Sequence, residues 1–164
     1  MTEKKTVHNK EETEVIAIPL QFALEEIKEN ISLNNNAPSR PSKEQIIKRA
    51  FNLHLQGNIT EAAKYYQLFI SRGFIDHRLF SNYGIILKDL GKLKEAELCQ
   101  RNAIKLNPDF ANAHSNLGNI LKDLGKLKEA ELCQRNAIRL NPKFSNAHSN
   151  LGNILRDLGK LKEA

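Results

Sequence analysis

At 164 residues, with 40% hydrophobic and 27% charged side chains, the chain has the size and composition of one ordinary folded domain. Its longest mostly apolar run, Val15–Leu24, is broken by Pro19 and Gln21, falls short of the roughly 20 residues a membrane helix needs, and follows Glu11, Glu12 and Glu14 instead of a basic flank, so neither a span nor an export signal is expected and the cytoplasm is the expected location. The net charge of +6 does not mark a nucleic-acid binder, because Lys92, Lys94 and Arg101 alternate with Asp89, Glu95 and Glu97 and aromatic side chains for base stacking are scarce.

Residues 1–14 are almost all polar or charged and are expected to be disordered. Residues 15–42 read as a short helix and a linker. Pro19 can open an amphipathic helix over Leu20–Ile31, with Phe22, Ala23, Ile27 and Ile31 at helical spacing, and the Asn- and Pro-rich stretch Ser32–Pro41 follows. Ser42-Lys43-Glu44-Gln45 has the form of a capping box and marks the start of a folded array at Lys43.

From there the chain repeats. Ile86–Pro108 recurs at Ile120–Pro142 with one change, Lys105 becoming Arg139. Gly57, Gly91, Gly125 and Gly159 are each 34 residues apart, and the units run 43–76 (divergent), 77–110, 111–144 and an incomplete 145–164. Each glycine follows a helical pattern and precedes another, as a left-handed helix terminator would. Ala62, Ala96, Ala130 and Ala164 allow close approach at the start of the second helix, and Pro108 and Pro142 end it. Each unit is therefore an antiparallel helical hairpin, and hairpins of fixed period bury their apolar faces by stacking. Cys99 and Cys133 hold equivalent places in successive units, about 8–10 Å apart for packed helices, too far for a disulfide.

The pattern resembles the tetratricopeptide repeat. The matching residues are Ala50, Gly84, Gly118 and Gly152 in the first helix, Ala62, Ala96, Ala130 and Ala164 opening the second, Ala103 and Ala137 within it, and Pro108 and Pro142 after it. The RNA-binding pentatricopeptide arrays have a slightly longer period and do not fit. Two departures stand out. Gln100 and Gln134 replace the usual aromatic of the second helix, which implies thinner packing there. His114 and His148 replace the large aromatic of the first helix, a place that Phe80 keeps.

The resemblance implies an all-α, right-handed solenoid whose first helices line a concave face. Among the inward positions it assigns are Asn82, Asn116 and Asn150, with Asn119 and Asn153 beside them and Lys88, Lys122 and Arg156 one turn on. Asparagine is a poor helix former, so a column of it asks for a reason. One carboxamide offers a donor and an acceptor and can pair with both polar groups of a peptide unit. The column Asn82, Asn116, Asn150 is similar to the asparagine ladder in the repeat superhelix of O-linked N-acetylglucosamine transferases; the first unit has Lys48 there instead. The alternative is that duplication copied a harmless surface asparagine. Lys88/Asp89, Lys122/Asp123 and Arg156/Asp157 form a second column, either a mixed-charge binding strip or a solvated face of neighbouring, self-neutralising pairs. The clamp that repeats of this kind use for chaperone tails is not supported, since Asn112 and Asn116 stand where its cations belong.

His114, His148 and the two cysteines lack the converging set a metal needs and are read as packing residues. No phosphate loop, nucleophile elbow or HExxH motif occurs, so neither a cofactor nor catalysis is expected. The expected function is a protein-interaction scaffold holding an extended peptide of another protein in its groove. The alternative is the recruiting front part of a larger glycosyltransferase or sulfotransferase. Because the fourth unit is incomplete, the apolar face of Leu151, Ile154, Leu155 and Leu158 is expected to fray or to promote self-association.

Overall fold

The computed structural model describes residues 41–159. All regular structure among them is helical: α1 (Lys43–Leu55), α2 (Ile59–Ser71), α3 (His77–Asp89), α4 (Leu93–Leu106), α5 (Ala111–Asp123), α6 (Leu127–Leu140) and α7 (Ser145–Asp157). The N-terminal helix and nearly all the linker expected from the sequence, and the last residues of the fourth unit, lie outside this range. Helices α1 and α2, α3 and α4, and α5 and α6 form three hairpins, and α7 packs on the third, giving an all-α solenoid of helical hairpins.

Local chemistry sets the boundaries. At α1 the capping box forms in both directions: the Gln45 amide donates to Ser42 Oγ at 3.3 Å, and the Ser42 amide donates to Gln45 Oε1 at 2.8 Å. At α3 the Asp76 carboxylate takes over, accepting from the Arg78 and Leu79 amides at 2.9 and 3.4 Å. Helices α5 and α7 have no side-chain cap. Instead His114 Nε2 lies 2.8 Å from the Pro108 carbonyl, and His148 Nε2 lies 2.9 Å from that of Pro142. A carbonyl can only accept, so each ring donates from Nε2 and ties its helix to the preceding loop. The two histidines are loop anchors rather than packing residues. Inside each hairpin the turn passes through a left-handed glycine, Gly91 and Gly125 both having φ 74°.

The core changes character along the array. The first two hairpins bury Tyr66, Phe69, Phe80 and Tyr83, with Tyr66 and Tyr83 ring centroids 5.8 Å apart and Gln67 Nε2 donating to the Tyr83 hydroxyl at 2.8 Å. Burial pushes both phenols up to about 12. Beyond them aliphatic and small residues dominate: Leu117, Leu121, Ala130 and Ile154 form a second cluster. The thin packing expected at Gln100 and Gln134 is not found. Both are fully buried, each against the glycine of its own hairpin, Gly84 or Gly118. The fourth unit also differs from expectation: Ile154 and Leu155 are buried, and only Leu151 and Leu158 stay partly exposed.

Candidate functional site

The polar face shared by α3, α5 and α7 carries the residues singled out in the sequence. Asn119 and Asn150 belong to two adjoining open recesses. One, of about 190 Å³, is completed by Lys88, Lys122, Asp123 and Asn153. The other, of about 270 Å³, is completed by Ser115, Asn116, Phe144, Asn146 and Ser149. Of the expected residues, Asn82 and Arg156 lie outside both.

Several of the asparagines are already engaged within the fold, which fixes what each can offer. Asn82 lies near the Tyr66 hydroxyl, whose hydrogen-bond partner is His54 Nδ1 at 3.2 Å. Asn116 Nδ2 donates to Ser81 Oγ at 3.2 Å, reaching back one repeat and leaving its carbonyl oxygen as an acceptor. Asn119 accepts at Oδ1 from Gln134 Nε2 at 3.1 Å, and Asn153 accepts at Oδ1 from Arg156. Both therefore leave their amino groups out of these bonds. Asn150 makes no side-chain hydrogen bond to another described residue.

The charge column needs correcting. Lys88 and Lys122 are not paired with their sequence neighbours. Lys88 Nζ lies 3.6 Å from Asp123, and Lys122 Nζ lies 3.8 Å from Asp157, each in the next unit. Successive residues on a helix point about 100° apart, whereas equivalent positions on stacked first helices face the same groove. The cations thus cross-link repeats and leave the groove close to neutral.

At the second helices a further set of pairs forms both within a unit and between units. Glu97 accepts from Arg101 at 2.9 and 2.7 Å and from Lys126 at 3.1 Å. Burial would raise its pKa, but the two cations outweigh it and hold the carboxyl below the ordinary value. No group of three or more His, Cys, Asp or Glu among the described residues could hold a metal ion, and both cysteines are free thiols. No helix among the described residues is long and apolar enough to cross a membrane. Sequence reasoning did not place Phe144 at this face, nor the buried Gln134 against Asn119 behind it. The signal for Gln134 was its presence where an aromatic is usual.

A family model described as TPR repeat matches residues 84–125 and 118–159. No curated protein matches the chain. Among solved structures it is similar to MamA, with 20% identity over 74% of this chain and 71% of that one and a TM-score of 0.71. It is also similar to the first TPR of Spaghetti (RPAP3) bound to the HSP90 peptide SRMEEVD, with 22% identity over 74% of this chain and 99% of that one and a TM-score of 0.67. The second TPR domain of human RPAP3 in complex with the HSP70 peptide SGPTIEEVD shares 25% identity over 66% of this chain and 91% of that one, with a TM-score of 0.62.

Proposed function

This chain is a tetratricopeptide-repeat protein, and we propose that it is a non-catalytic interaction scaffold that holds an extended segment of a partner protein in the groove of its first helices. The observation that carries this reading is the pair of recesses in which Asn116, Asn119, Asn150 and Asn153 converge beside Lys88 and Lys122. Solvent-facing helix positions favour good helix formers; a cluster of asparagines there sacrifices helix propensity for paired donors and acceptors. Similar folds that hold the HSP90 and HSP70 peptides support peptide binding in general.

Those two peptides end in acidic residues. This groove favours another kind of ligand. Lys88 and Lys122 are matched by Asp123 and Asp157, and a ligand carboxylate would have to compete with them. Amide side chains instead suit the main chain of a neutral extended peptide, whatever its side chains.

The test is binding of an unstructured peptide library to the full chain and to the triple variant Asn116→Ala, Asn119→Ala, Asn150→Ala. Neutral peptides are expected to bind the wild type and to lose about tenfold or more in the variant, at roughly 1 kcal/mol for each hydrogen bond removed. Equal affinities for the two proteins would remove the groove from the function.

A further inference from the structure

We propose that Gln134, on the second helix of its hairpin and outside the recesses, is a positioning residue for peptide binding: it locks the Asn119 carboxamide with its amino group toward the groove, so that this point receives a peptide carbonyl. The proposal rests on the groove reading above.

One group at this point has a fixed polarity. The Ser115 main-chain carbonyl can only accept, and Gln134 Nε2 lies 3.0 Å from it. Gln134 must therefore turn its amino group that way. The same nitrogen lies 3.1 Å from the Asn119 carboxamide, so Asn119 has to present its oxygen, since two amino groups would repel. Both hydrogens of Gln134 Nε2 are then used, and the amino group of Asn119 faces the recess shared with Lys88, Lys122 and Asn150. Asn153, whose oxygen is held by Arg156, has the same polarity one repeat on. Asn116, whose nitrogen is held by Ser81, has the opposite one on the same face of α5 as Asn119. An acceptor at Asn116 and a donor at Asn119 match the N–H and C=O of a main chain.

The lock has a structural cost. Gln134 is fully buried, and its Oε1 has no hydrogen-bond partner. An orphaned buried oxygen is unfavourable, and a methionine of similar volume would avoid it. The groove also needs Gly118, because a Cβ there would lie 2.6 Å from Gln134 Nε2. Gln100 supplies an internal control. It donates to the Ser81 carbonyl at 2.8 Å and has the same orphaned oxygen, but Ile85 stands where Asn119 does, so it has no amide to orient.

The probe is the tightest-binding neutral peptide from the library. Its affinity is measured for the wild type, Gln134→Met, Asn119→Ala, the double variant and Gln100→Met. Gln134→Met and Asn119→Ala should each weaken binding by about three- to tenfold, and the double variant no more than Asn119→Ala alone. Gln100→Met should bind like the wild type. The melting temperature of Gln134→Met should be unchanged or higher, which separates positioning from a general packing role. The proposal is overturned if Gln134→Met binds normally, or if its effect persists in the Asn119→Ala background. A wild type that binds no library peptide overturns the groove reading itself, and the positioning role with it. In the free wild-type protein, NMR should show slow exchange for the Gln134 amino protons and fast exchange for those of Asn119. Equally fast exchange would overturn the lock even if Gln134→Met failed to fold.

Discussion

Lys88 Nζ lies 3.6 Å from Asp123 Oδ2, a full repeat further along the chain, although Asp89 is its neighbour in sequence. The same relationship joins Lys122 to Asp157 at 3.8 Å. On the other side of the array Lys126 reaches back to Glu97 at 3.1 Å, and Arg101 reaches forward to Glu129 at 3.4 Å. Apolar burial drives the stacking of hairpins, while these pairs favour one register of it, because a displaced unit would bring unmatched charges together.

Reversing one end of a groove pair, as in Lys88→Asp, should therefore cost about 0.2–1 kcal/mol, since both partners are partly exposed. The combination of Lys88→Asp with Asp123→Lys should recover most of it. A double-mutant cycle by urea unfolding at low salt measures the coupling, which should shrink as salt is raised. An additive cycle would show that the pair does not contribute.

The pair network at Glu97 has a pH signature. Burial would raise the pKa of this carboxyl, but Arg101 and Lys126 together lower it below the ordinary value. A group whose folded pKa is depressed stabilises the fold above its unfolded pKa, and the contribution is lost as pH falls through the folded value. Glu97→Gln should therefore be less stable than wild type by roughly 1 kcal/mol at neutral pH. The two should converge as pH is lowered below the ordinary carboxylate range. Parallel stability curves down to acid pH would show that Glu97 makes no such contribution.

Neither thiol is activated. Burial drives the Cys99 thiol far up, with the Glu95 carboxylate adding to the effect. At Cys133 burial again dominates and raises the pKa to about 11, although Arg101 opposes it. The thiolate is the reactive form, so alkylation of the native protein at neutral pH should be slow at both sites. Cys133, the less buried, should react first, and Cys99 should react at an ordinary rate only once the protein is unfolded. Rapid modification of Cys99 in the native state would contradict this.

Helix α7 should be the least protected of the well-packed first helices. Among the described elements it meets α6 and α5, whereas α5 meets α4 and α6 and also touches α3 and α7. Yet Ile154 and Leu155 are buried, so loss of protection should be graded, greatest toward the exposed Ser145–Asn146 end and least around Ile154. Hydrogen exchange that leaves α7 as protected as α5 throughout would overturn this.

How far the fold was legible depends on which positions report backbone and which report pairing. The hairpin boundaries could be read because Ser42, Gly91, Gly125 and Pro108 act within a few residues of themselves. The same period puts Asn116 and Asn150 at equivalent places, and Asn119 and Asn153 likewise; all four line the recesses, whereas Asn82 lies outside them. What could not be read were contacts between units. Lys122 has Asp123 beside it and Asp157 a repeat away, and only stacking geometry decides between them. His114 looked like a substitute for an aromatic because nothing local indicates that its ring would reach the Pro108 carbonyl. Gln134 stands out in the sequence as a departure from the usual aromatic, but its partners, Ser115 and Asn119, lie on the other helix of the hairpin.

Gly118 and Gly125 occupy one hairpin and should fail for different reasons when changed to alanine. Gly125 has φ 74° with nothing within 4 Å of an added Cβ, so Gly125→Ala meets open space but a left-handed backbone. That conformation costs an L-residue roughly 1–2 kcal/mol. Gly118 is helical, and an added Cβ would meet Gln134 Nε2 at 2.6 Å, Gln134 Cδ at 3.0 Å and the Ala130 carbonyl oxygen at 3.2 Å. Gly118→Ala should therefore cost about 1–3 kcal/mol through overpacking, despite the better helix propensity of alanine. Shortening the opposing side chain relieves the closest contacts, so Gly118→Ala with Gln134→Ala should be more stable than Gly118→Ala alone. Gly125→Ala should gain nothing from Gln134→Ala. Thermal denaturation of the four variants separates the two causes, and a Gly118→Ala protein as stable as wild type would show that the hairpin can open without loss.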